Sequence, residues 1–144
     1  MPIAVKRVYE SASRSDGSRV LVDRLWPRGL RKVDVALHEW LRDLAPSNEL
    51  RKWFHAHPER CALFRRRYLK ELAAPEAEND LKKLYRLAHQ KSRLTLLYAS
   101  KNETNNNATV LKELLDGMRK PPTGTGPATV PSIQTRNAAV RRRK

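Results

Sequence analysis

The chain has 144 residues, of which 40% are hydrophobic, and its 30 Lys and Arg against 15 Asp and Glu give a formal net charge of +15 at pH 7. This length suits one domain and leaves no room for a second. The apolar content is enough for a modest core, which argues against wholesale disorder.

The charge is distributed unevenly along the chain. Residues 1–117 hold all 15 acidic residues and 23 of the 30 basic residues, so this body carries a net charge of +8. Residues 118–144 hold the other seven basic residues and no acidic one. A positive field of this kind attracts phosphates, acidic metabolites, nucleic acid or anionic lipid, and does not choose among them.

Several features predict a cytoplasmic protein that does not enter a membrane. The single cysteine, Cys61, excludes an internal disulfide framework and is compatible with a reducing compartment. The first residues, Met-Pro-Ile-Ala-Val-Lys-Arg, place charge where a signal peptide has its apolar region. No apolar run approaches the roughly 18 residues of a membrane span.

The first two predicted elements are β-strands, at residues 3–9 and 19–26. Residues 3–9 are rich in β-branched side chains, and Asp16-Gly17 in the polar stretch that follows is a turn signal. Residues 19–26 carry apolar side chains on both alternating faces, as expected of a strand covered on both sides. We therefore place the second strand in the centre of a sheet.

Four helices are predicted between residues 34 and 91. Asp34 is the N-cap of the first, which Pro46 ends, and Ser47 caps the second. Pro58 lies in the first turn of the third helix, and the fourth begins near Pro75. Their apolar residues at helical spacing are Leu37, Trp40, Leu41 and Leu44, then Leu50, Trp53 and Phe54, then Cys61, Phe64, Tyr68 and Leu72, and then Ala77, Leu81, Leu84 and Ala88.

A third buried strand at residues 94–99, a polar loop at 100–107 and a last helix with Gly117 as its C′ residue complete the prediction. Strands that lead through loops into helices predict parallel neighbours with right-handed crossovers. The fold class is therefore α/β, a single small domain at residues 1–117 with a short, mostly parallel sheet flanked by about five helices. Residues 118–144 are predicted to be a disordered basic tail.

Ligands of open α/β sheets bind outside the carboxyl ends of the strands. This rule selects residues 23–29 after the second strand and residues 100–107 after the third, which line one edge if these strands are parallel neighbours. The candidate ligand-binding residues are Arg19, Arg24, Trp26, Arg28, Gly29, Ser100, Lys101, Asn102, Asn106 and Asn107.

Asp23 and Arg24 are ionisable residues inside the predicted apolar strand, where an unpaired charge is costly. In one interpretation Asp23 forms an internal ion pair with Arg19 or with an arginine of a helix. In the other, Asp23 is a catalytic general base or orienting group, and Arg24 and Arg28 clamp a phosphate or carboxylate. The sequence leaves both interpretations open.

The other candidates also have two interpretations. Trp26 either fills the core or offers a face on which a base or ring stacks. Gly29 supplies a positive φ, which either lets the backbone approach a ligand or only turns the chain. Lys101, Asn102 and residues 105–107 place polar groups at a helix N-terminus, which suits an anion, although ordinary capping explains part of this pattern.

We predict no metal and no cofactor. Cys61 lies on a predicted apolar helix face, where it belongs to the core and is not a catalyst. The chain lacks the Gly-x-Gly-x-x-Gly and P-loop patterns, which argues against a Rossmann dinucleotide site and NTPase chemistry. The histidines form no metal-ligand pattern; they are His38, His55, His57 and His89.

A set of motifs resembles a known family. The motifs are Lys6-Arg-Val-Tyr9, Asp16-Gly-x-Arg-Val-Leu-Val-Asp-Arg-Leu-Trp-Pro-Arg-Gly29, Trp40, Pro46-Ser-x-Glu-Leu-Arg51, Phe54-His55, Phe64-x-x-x-Tyr68 and Leu94-Thr-Leu-Leu-Tyr98. From residue 3 to about residue 117 the chain resembles the YeaO-like branch of the bacterial "domain of unknown function 488" family. The resemblance implies a compact bacterial cytoplasmic α/β protein and no settled activity.

The same resemblance draws attention to Asn107. Relatives often have Asn-His-Ala where this chain has Asn106-Asn107-Ala108. If that histidine acts as an acid or base in relatives, Asn107 can form hydrogen bonds there but cannot transfer a proton at neutral pH. The resemblance therefore puts proton-transfer catalysis by this position in doubt.

Three functions remain open from the sequence. The first is a domain that binds, or acts on, an anionic small molecule such as a nucleotide or phosphorylated metabolite. The second is a nucleic-acid-associated accessory protein whose basic surface and tail bind weakly and without base specificity. The third is a structural or protein-interaction domain without catalysis. The sequence specifies neither the oligomeric state nor whether the chain is an enzyme.

Overall fold

The computed structural model describes residues 3–90 and 92–122. Within them, the strands are β1 (Ile3–Arg7), β2 (Ser18–Leu21), β3 (Glu39–Trp40) and β4 (Leu94–Tyr98). The α-helices are α1 (Lys32–Val35), α2 (Asn48–Ala56), α3 (Cys61–Leu72), α4 (Glu78–Ala88) and α5 (Asn107–Gly117). Short 3₁₀ turns lie at Arg14–Asp16, Arg42–Leu44 and Pro75–Ala77.

The four strands form one parallel sheet in the order β1-β4-β2-β3. β4 pairs with β1 on one side and with β2 on the other, so that Leu94 lies opposite both Ile3 and Ser18. The predicted α/β class with a parallel sheet is confirmed, as is the interior position of the second strand.

The sheet has two faces that the chain covers differently. The connections from β1 to β2 and from β2 to β3 move across the sheet in one direction, whereas that from β3 to β4 moves back. Crossovers of one hand must then place the first two connections on one face and the third on the other. We call the face that α2–α5 cover the helical face, and the face that residues 8–17 and 22–38 cover the loop face.

The helical face holds the larger core. Residues of β2 and β4 alternate between the faces, and Val20, Leu94 and Leu96 point into this core at 0% exposure. They pack against apolar side chains of the helices, including Leu84 of α4 and Leu111 of α5.

The loop face has a smaller apolar cluster and a buried ionic group. Val8, Leu21, Val35 and Leu97 are buried there, with half-buried aromatic and aliphatic side chains against them; these are Trp26, Leu30, Leu37 and Trp40. No α-helix in the described part of this cover is longer than the four residues of α1.

The ionic group of the loop face is centred on Asp16. The Arg19 guanidinium is 4% exposed and donates to Asp16 Oδ2 at 2.6 Å and to the Val35 carbonyl at 2.8 Å. Lys6 Nζ lies 3.1 Å from the same carboxylate oxygen, and Thr95 Oγ1 donates to the Asp16 carbonyl at 2.6 Å. Burial by itself raises the pKa of Asp16, but hydrogen bonds from Lys6, from the Ser13 N–H and from Arg19 outweigh it and lower the pKa.

Gly17, directly after this carboxylate, is needed for the turn into β2. Its φ is +66°, which favours glycine, and a Cβ here would collide with the carbonyl oxygen of Arg93. That same carbonyl accepts a hydrogen bond from the Ser18 N–H at 2.8 Å. The predicted turn at Asp16-Gly17 therefore brings the start of β2 against the start of β4.

The predicted second strand and first helix are wrong in their extents. β2 ends at Leu21, so Asp23 and Arg24 lie in the loop after it. The helix predicted after Asp34 does not form, because α1 spans Lys32–Val35 and Ala36 then takes a left-handed φ of 53°. Hydrogen bonds from His38 N to Arg19 O and from Leu41 N to Leu21 O pair the next segment with β2 as β3. Pairing along an open sheet edge outweighs the helical spacing of its apolar residues.

The remaining helices agree with the sequence apart from their ends. Ser47 caps α2 through a hydrogen bond that its Oγ accepts from the Leu50 N–H at 3.1 Å, as predicted. Pro58 is not in the first turn of α3, since that helix begins at Cys61. Gly117 is the last residue of α5 and not its C′ residue; the C-cap is Met118.

The chain continues to pack after α5. Met118 belongs to the core of the helical face, and Pro122 is buried. The predicted disordered tail therefore begins among described residues, and residues 123–144 lie outside them. Among the described residues no helix has the length and apolar character needed to cross a bilayer.

Candidate functional site

A hydrogen-bond network centred on Asp23 connects the carboxyl ends of the strands. Asp23 Oδ2 accepts from the Ala99 N–H at 2.9 Å, and its Oδ1 accepts from Asn107 Nδ2 at 2.9 Å. Asn107 Nδ2 also donates to the Val22 carbonyl at 2.8 Å, and Trp40 Nε1 donates to the Asp23 carbonyl at 2.7 Å. The ends of β2, β3 and β4 and the start of α5 are thereby joined.

This network occupies the place where α/β sheets usually bind ligands. After β2 the chain leads to the loop face, whereas after β4 it leads to α5 on the helical face. Neighbouring strands that lead to opposite faces leave a crevice between their ends, and ligands bind there. In this chain Asp23 and Asn107 fill that crevice with their own hydrogen bonds.

The environment of Asp23 differs from that of a free general base. Burial raises the pKa of its carboxyl group, and the hydrogen bonds from Asn107 and from the Ala99 N–H act in the opposite direction. Both carboxylate oxygens accept hydrogen bonds from the chain, whereas a general base needs an oxygen within reach of the substrate proton. The predicted ion pair of Asp23 with Arg19 is wrong, because Arg19 pairs with Asp16.

The three arginines predicted to bind a ligand, Arg19, Arg24 and Arg28, do not lie around one point. Arg19 is buried on the loop face, away from the carboxyl ends. Arg24 donates to the carbonyls of Ala45 and Pro46, both at 3.3 Å. The side chain of Arg28 is exposed, and its carbonyl accepts from the Tyr9 hydroxyl at 3.0 Å.

Trp26 and Gly29 shape the loop after β2. Trp26 Nε1 donates to the Leu30 carbonyl at 2.6 Å, and the ring lies edge-on to Trp40 with centroids 5.4 Å apart. Trp26 thus packs against the apolar cluster of the loop face. Gly29 has the predicted positive φ, +83°, and a Cβ there would meet no atom within 4 Å. The requirement for glycine at this position is therefore conformational.

The polar loop before α5 uses most of its candidate side chains for its own folding. Ser100 Oγ accepts from the Asn102 N–H at 3.1 Å, and Asn102 Oδ1 accepts from the N–H groups two and three residues later at 3.1 and 2.9 Å. Asn106 is the N-cap of α5 and accepts from the Thr109 N–H at 3.0 Å. Lys101 is exposed.

Two clefts flank the Asp23 network. One has a volume of about 500 Å³ and is lined by Arg24, Leu25, Trp40, Arg42, Asp43 and Asp80. The other, of about 180 Å³, lies between α3 and α5, and its lining includes Cys61, Arg65, Asn106 and Glu113. The two segments predicted to share one site therefore contribute to separate clefts.

The larger cleft combines two guanidinium groups, an indole ring and two carboxylates. The Arg42 guanidinium lies 4.5 Å from the centroid of the Trp40 ring. Asp80 Oδ2 accepts from the Asp43 N–H at 3.2 Å, and burial raises the pKa of Asp80. The cleft lies at the carboxyl ends of β2 and β3, where the rule for α/β sheets expects a ligand.

Sequence reasoning missed four residues of this cleft, three of them because residues 37–44 were assigned to a helix and the fourth because nothing in the sequence brings α4 to this edge of the sheet. The missed residues are Trp40, Arg42, Asp43 and Asp80. A strand at residues 39–40 would have placed Arg42 and Asp43 just after a carboxyl end, by the rule that selected Arg24. Cys61 was also misplaced, since it is half-buried in the lining of the smaller cleft and its Sγ lies 3.4 Å from the Pro58 carbonyl.

Comparisons with known proteins show which family and which relatives this chain is similar to. The model of the family described as "Inactive DUF488-N3 subclade" matches residues 2–132. The chain is 53% identical over 115 residues to "Uncharacterized protein YeaO" of Escherichia coli K12, covering 80% of this chain and 97% of that protein. It is 44% identical over 115 residues to "Uncharacterized protein Rv3073c" of Mycobacterium tuberculosis H37Rv, covering 80% of this chain and 94% of that protein. These matches confirm the resemblance to the YeaO-like branch. No solved structure matches the chain.

Proposed function

Since the chain belongs to the inactive DUF488-N3 subclade, we propose that it is a cytoplasmic binding domain without catalytic activity. Its ligand is an anionic small molecule of the nucleotide or phosphorylated-metabolite class. The ligand binds in the larger cleft, between the ends of β2 and β3. The observation that carries this proposal is the presence of Arg24, Arg42 and Trp40 in one cleft at the carboxyl edge of a parallel sheet.

The arginines supply the anion-binding part of the cleft. Arg24 uses two N–H groups on the carbonyls of Ala45 and Pro46, which hold its guanidinium in place and leave its other donors available. Arg42 is exposed and lies over the Trp40 ring. Guanidinium groups match the geometry of phosphate and carboxylate oxygens, and fixed ones lose little entropy on binding.

The acidic residues favour a nucleotide over a simple anion. Asp43 and Asp80 line the same cleft as the arginines. Carboxylates repel a bare phosphate but accept hydrogen bonds from hydroxyl and amino groups. A nucleotide suits both the arginines and the aspartates, because its phosphate can bind the arginines while its ribose or base donates hydrogen bonds to the carboxylates. The indole of Trp40 offers an apolar surface to the base.

The absence of catalysis is supported by the Asp23 network. Asp23 is the predicted general base. One of its carboxylate oxygens accepts a hydrogen bond from the Ala99 N–H, and the other accepts one from the Asn107 side chain. Asn107 has no titratable proton at neutral pH. We therefore expect binding without turnover.

Isothermal titration calorimetry with AMP, ADP, ATP and inorganic phosphate tests the proposal on the full chain. We expect a nucleotide to bind more tightly than phosphate, and Arg42→Ala to weaken nucleotide binding by about 10-fold or more through loss of a charge-assisted hydrogen bond. Incubation with the bound nucleotide is expected to release no phosphate or base.

Two matched variants locate the binding site. Arg66→Ala removes an exposed arginine of α3, outside the cleft, and is expected to leave the affinity unchanged. Lys101→Ala removes an exposed cation of the loop after β4, also outside the cleft. A loss of binding in Lys101→Ala with normal binding in Arg42→Ala would place the ligand beside that loop instead. Turnover of the ligand would contradict the proposed lack of catalysis.

Nucleic-acid association is a second candidate function, favoured by the net charge of +15 and by the basic residues after residue 118. When a protein neutralises nucleic-acid phosphates, the logarithm of its binding constant falls linearly with the logarithm of the salt concentration. Binding of single- and double-stranded DNA and RNA is measured against salt for the full chain and for a chain ending at residue 122. Binding that is absent or insensitive to salt excludes this function, and binding that the shorter chain lacks assigns it to the tail.

A further inference from the structure

The large apolar side chains that are exposed in the described part of the chain all lie in the segments that cover the loop face. Within the described residues they are Tyr9, Leu25 and Val33, which are 43%, 62% and 74% exposed. All three lie on residues 8–17 and 22–38, the segments that cover the loop face. Single exposed apolar residues are ordinary on a protein surface. Here all three lie in the segments that cover one face of the sheet, which indicates an interaction surface there.

The exposed charges of these segments are mainly basic. The exposed basic side chains are Arg14, Arg28, Arg31 and Lys32, and the exposed acidic ones are Glu10 and Asp34. Asp34 pairs with Arg31 at 3.1 Å, and Glu10 accepts from the Arg7 N–H at 3.3 Å. The other two carboxylates of the segments are held inside, Asp16 by Arg19 and Asp23 by Asn107. The cover therefore presents positive charge to solvent.

Tyr9 and Arg28 are held side by side in this surface. The Tyr9 hydroxyl donates to the Arg28 carbonyl at 3.0 Å, and the Arg7 guanidinium lies 5.1 Å from the Tyr9 ring centroid. The bond from Trp26 to the Leu30 carbonyl closes the turn that contains Arg28. A surface whose backbone is already held in this way loses little entropy when a partner binds.

We propose that Tyr9, Arg28, Lys32 and Val33, with Leu25 at their border with the larger cleft, form a docking patch for an acidic, apolar segment of a partner protein. Tyrosine and arginine are the residues that dominate protein interfaces, and exposed aliphatic side chains supply their apolar centre. Nucleic acid offers phosphates and base faces, which basic and aromatic side chains recognise, but it gives little to Val33 and Leu25. The positive charge selects an acidic partner.

Selection of peptides from a random displayed library on the purified full chain tests this proposal. We expect the selected peptides to be enriched in Asp, Glu and large apolar residues. The affinity of a selected peptide is then measured by fluorescence polarisation. Arg28→Glu and Val33→Asp are each expected to weaken it by about 10-fold or more, since each opposes one component of recognition.

Two control variants and a check of folding separate the outcomes. Arg66→Glu on α3 is the charge-matched control, and Arg42→Ala changes only the larger cleft; both are expected to bind the peptide as the unaltered chain does. Circular dichroism and thermal unfolding check that Val33→Asp, at a 74% exposed position, retains the fold.

Several results would overturn the docking patch. They are the absence of selected peptides, selection of basic peptides, or affinities that neither Arg28→Glu nor Val33→Asp changes. Loss of single-stranded DNA binding in these variants without loss of peptide binding would identify a nucleic-acid surface instead. Self-association in analytical ultracentrifugation that Val33→Asp abolishes would identify a surface for a second copy of the chain.

Discussion

The two faces of the sheet are stabilised by different kinds of interaction. The helical face is closed by four helices around an apolar core, in which residues such as Leu84 and Leu111 are fully buried. The loop face is closed by two irregular segments, which depend on the ion pair of Asp16 with Arg19 and on polar contacts of Trp26 and Tyr9. An apolar core tolerates the exchange of one apolar side chain for another of similar volume, whereas a buried charge needs the particular group that pairs with it.

The candidate binding surfaces follow from this difference. The docking patch lies on the cover of the loop face, and the larger cleft lies where that cover meets β3. Without long helices over this face, loops carry its exposed side chains, and loops positioned by a rigid sheet often carry function.

The largest effect is expected for Asp16→Ala. The substitution leaves Arg19 and Lys6 without their carboxylate, and Arg19 Nη2 already lacks a hydrogen-bond partner among the described residues. Breaking a buried pair in this way costs about 3–5 kcal/mol of unfolding free energy. Urea denaturation at neutral pH measures the loss.

Two variants sharpen that measurement. The double variant Asp16→Leu with Arg19→Met removes both charges and is expected to lose less stability than Asp16→Ala, because it leaves fewer buried charges unpaired. Leu111→Ala on the helical face is expected to cost about 2–5 kcal/mol by leaving a cavity. A loss under about 1 kcal/mol in Asp16→Ala would contradict the account of the loop face.

A smaller effect is expected for Asn107→Ala. It removes the donor to Asp23 Oδ1 and to the Val22 carbonyl, which costs about 1–3 kcal/mol for unsatisfied buried acceptors. The pKa of Asp23 is expected to rise further, because the Asn107 hydrogen bond holds it down. Carboxyl ¹³C NMR titration measures the pKa, and urea denaturation measures the stability.

Asn105→Ala is the matched control for this network. Its side chain makes no hydrogen bond within residues 3–90 and 92–122, so it is expected to change neither quantity appreciably. An unchanged pKa of Asp23 in Asn107→Ala would show that the observed contact is not formed in solution.

The smallest effect is expected in the acid dependence of stability, where Asp16 and Asp23 act with opposite signs. The pKa of Asp16 is below its usual value of 3.8 in the folded chain, so its stabilisation is present above pH 3.8 and is lost as the pH falls through the folded pKa. The pKa of Asp23 lies above 3.8, so protonation between that folded pKa and 3.8 favours the folded chain.

Substitution by asparagine separates these two contributions. Asp16→Asn is expected to make the loss of stability on acidification shallower, and Asp23→Asn to make it steeper. Urea midpoints measured from neutral pH to about pH 3 give both slopes, a window that contains the usual aspartate pKa. Equal slopes in the two variants would contradict the opposite signs.

The sequence alone was sufficient where structure depends on neighbouring residues. The Ser47 cap of α2, the apolar stripe of α4 and the buried run of β4 each appear within a few consecutive residues, because caps and periodicity are local. The parallel arrangement followed from the strand–loop–helix order. The motif of residues 16–29 also indicated the right family.

Tertiary structure alone decided which polar residues from distant segments are paired and which residues line the clefts. Asp23 bonds to Asn107, 84 residues away, whereas the sequence left open an ion pair with Arg19 or a helix arginine and a role in a ligand site. Trp40 and Arg42 reached the cleft because residues 39–40 extend the sheet beside β2, against their helical spacing. The chemical type of a side chain limits the groups that it can bind. Which of these groups it contacts depends on how the whole fold brings distant segments together.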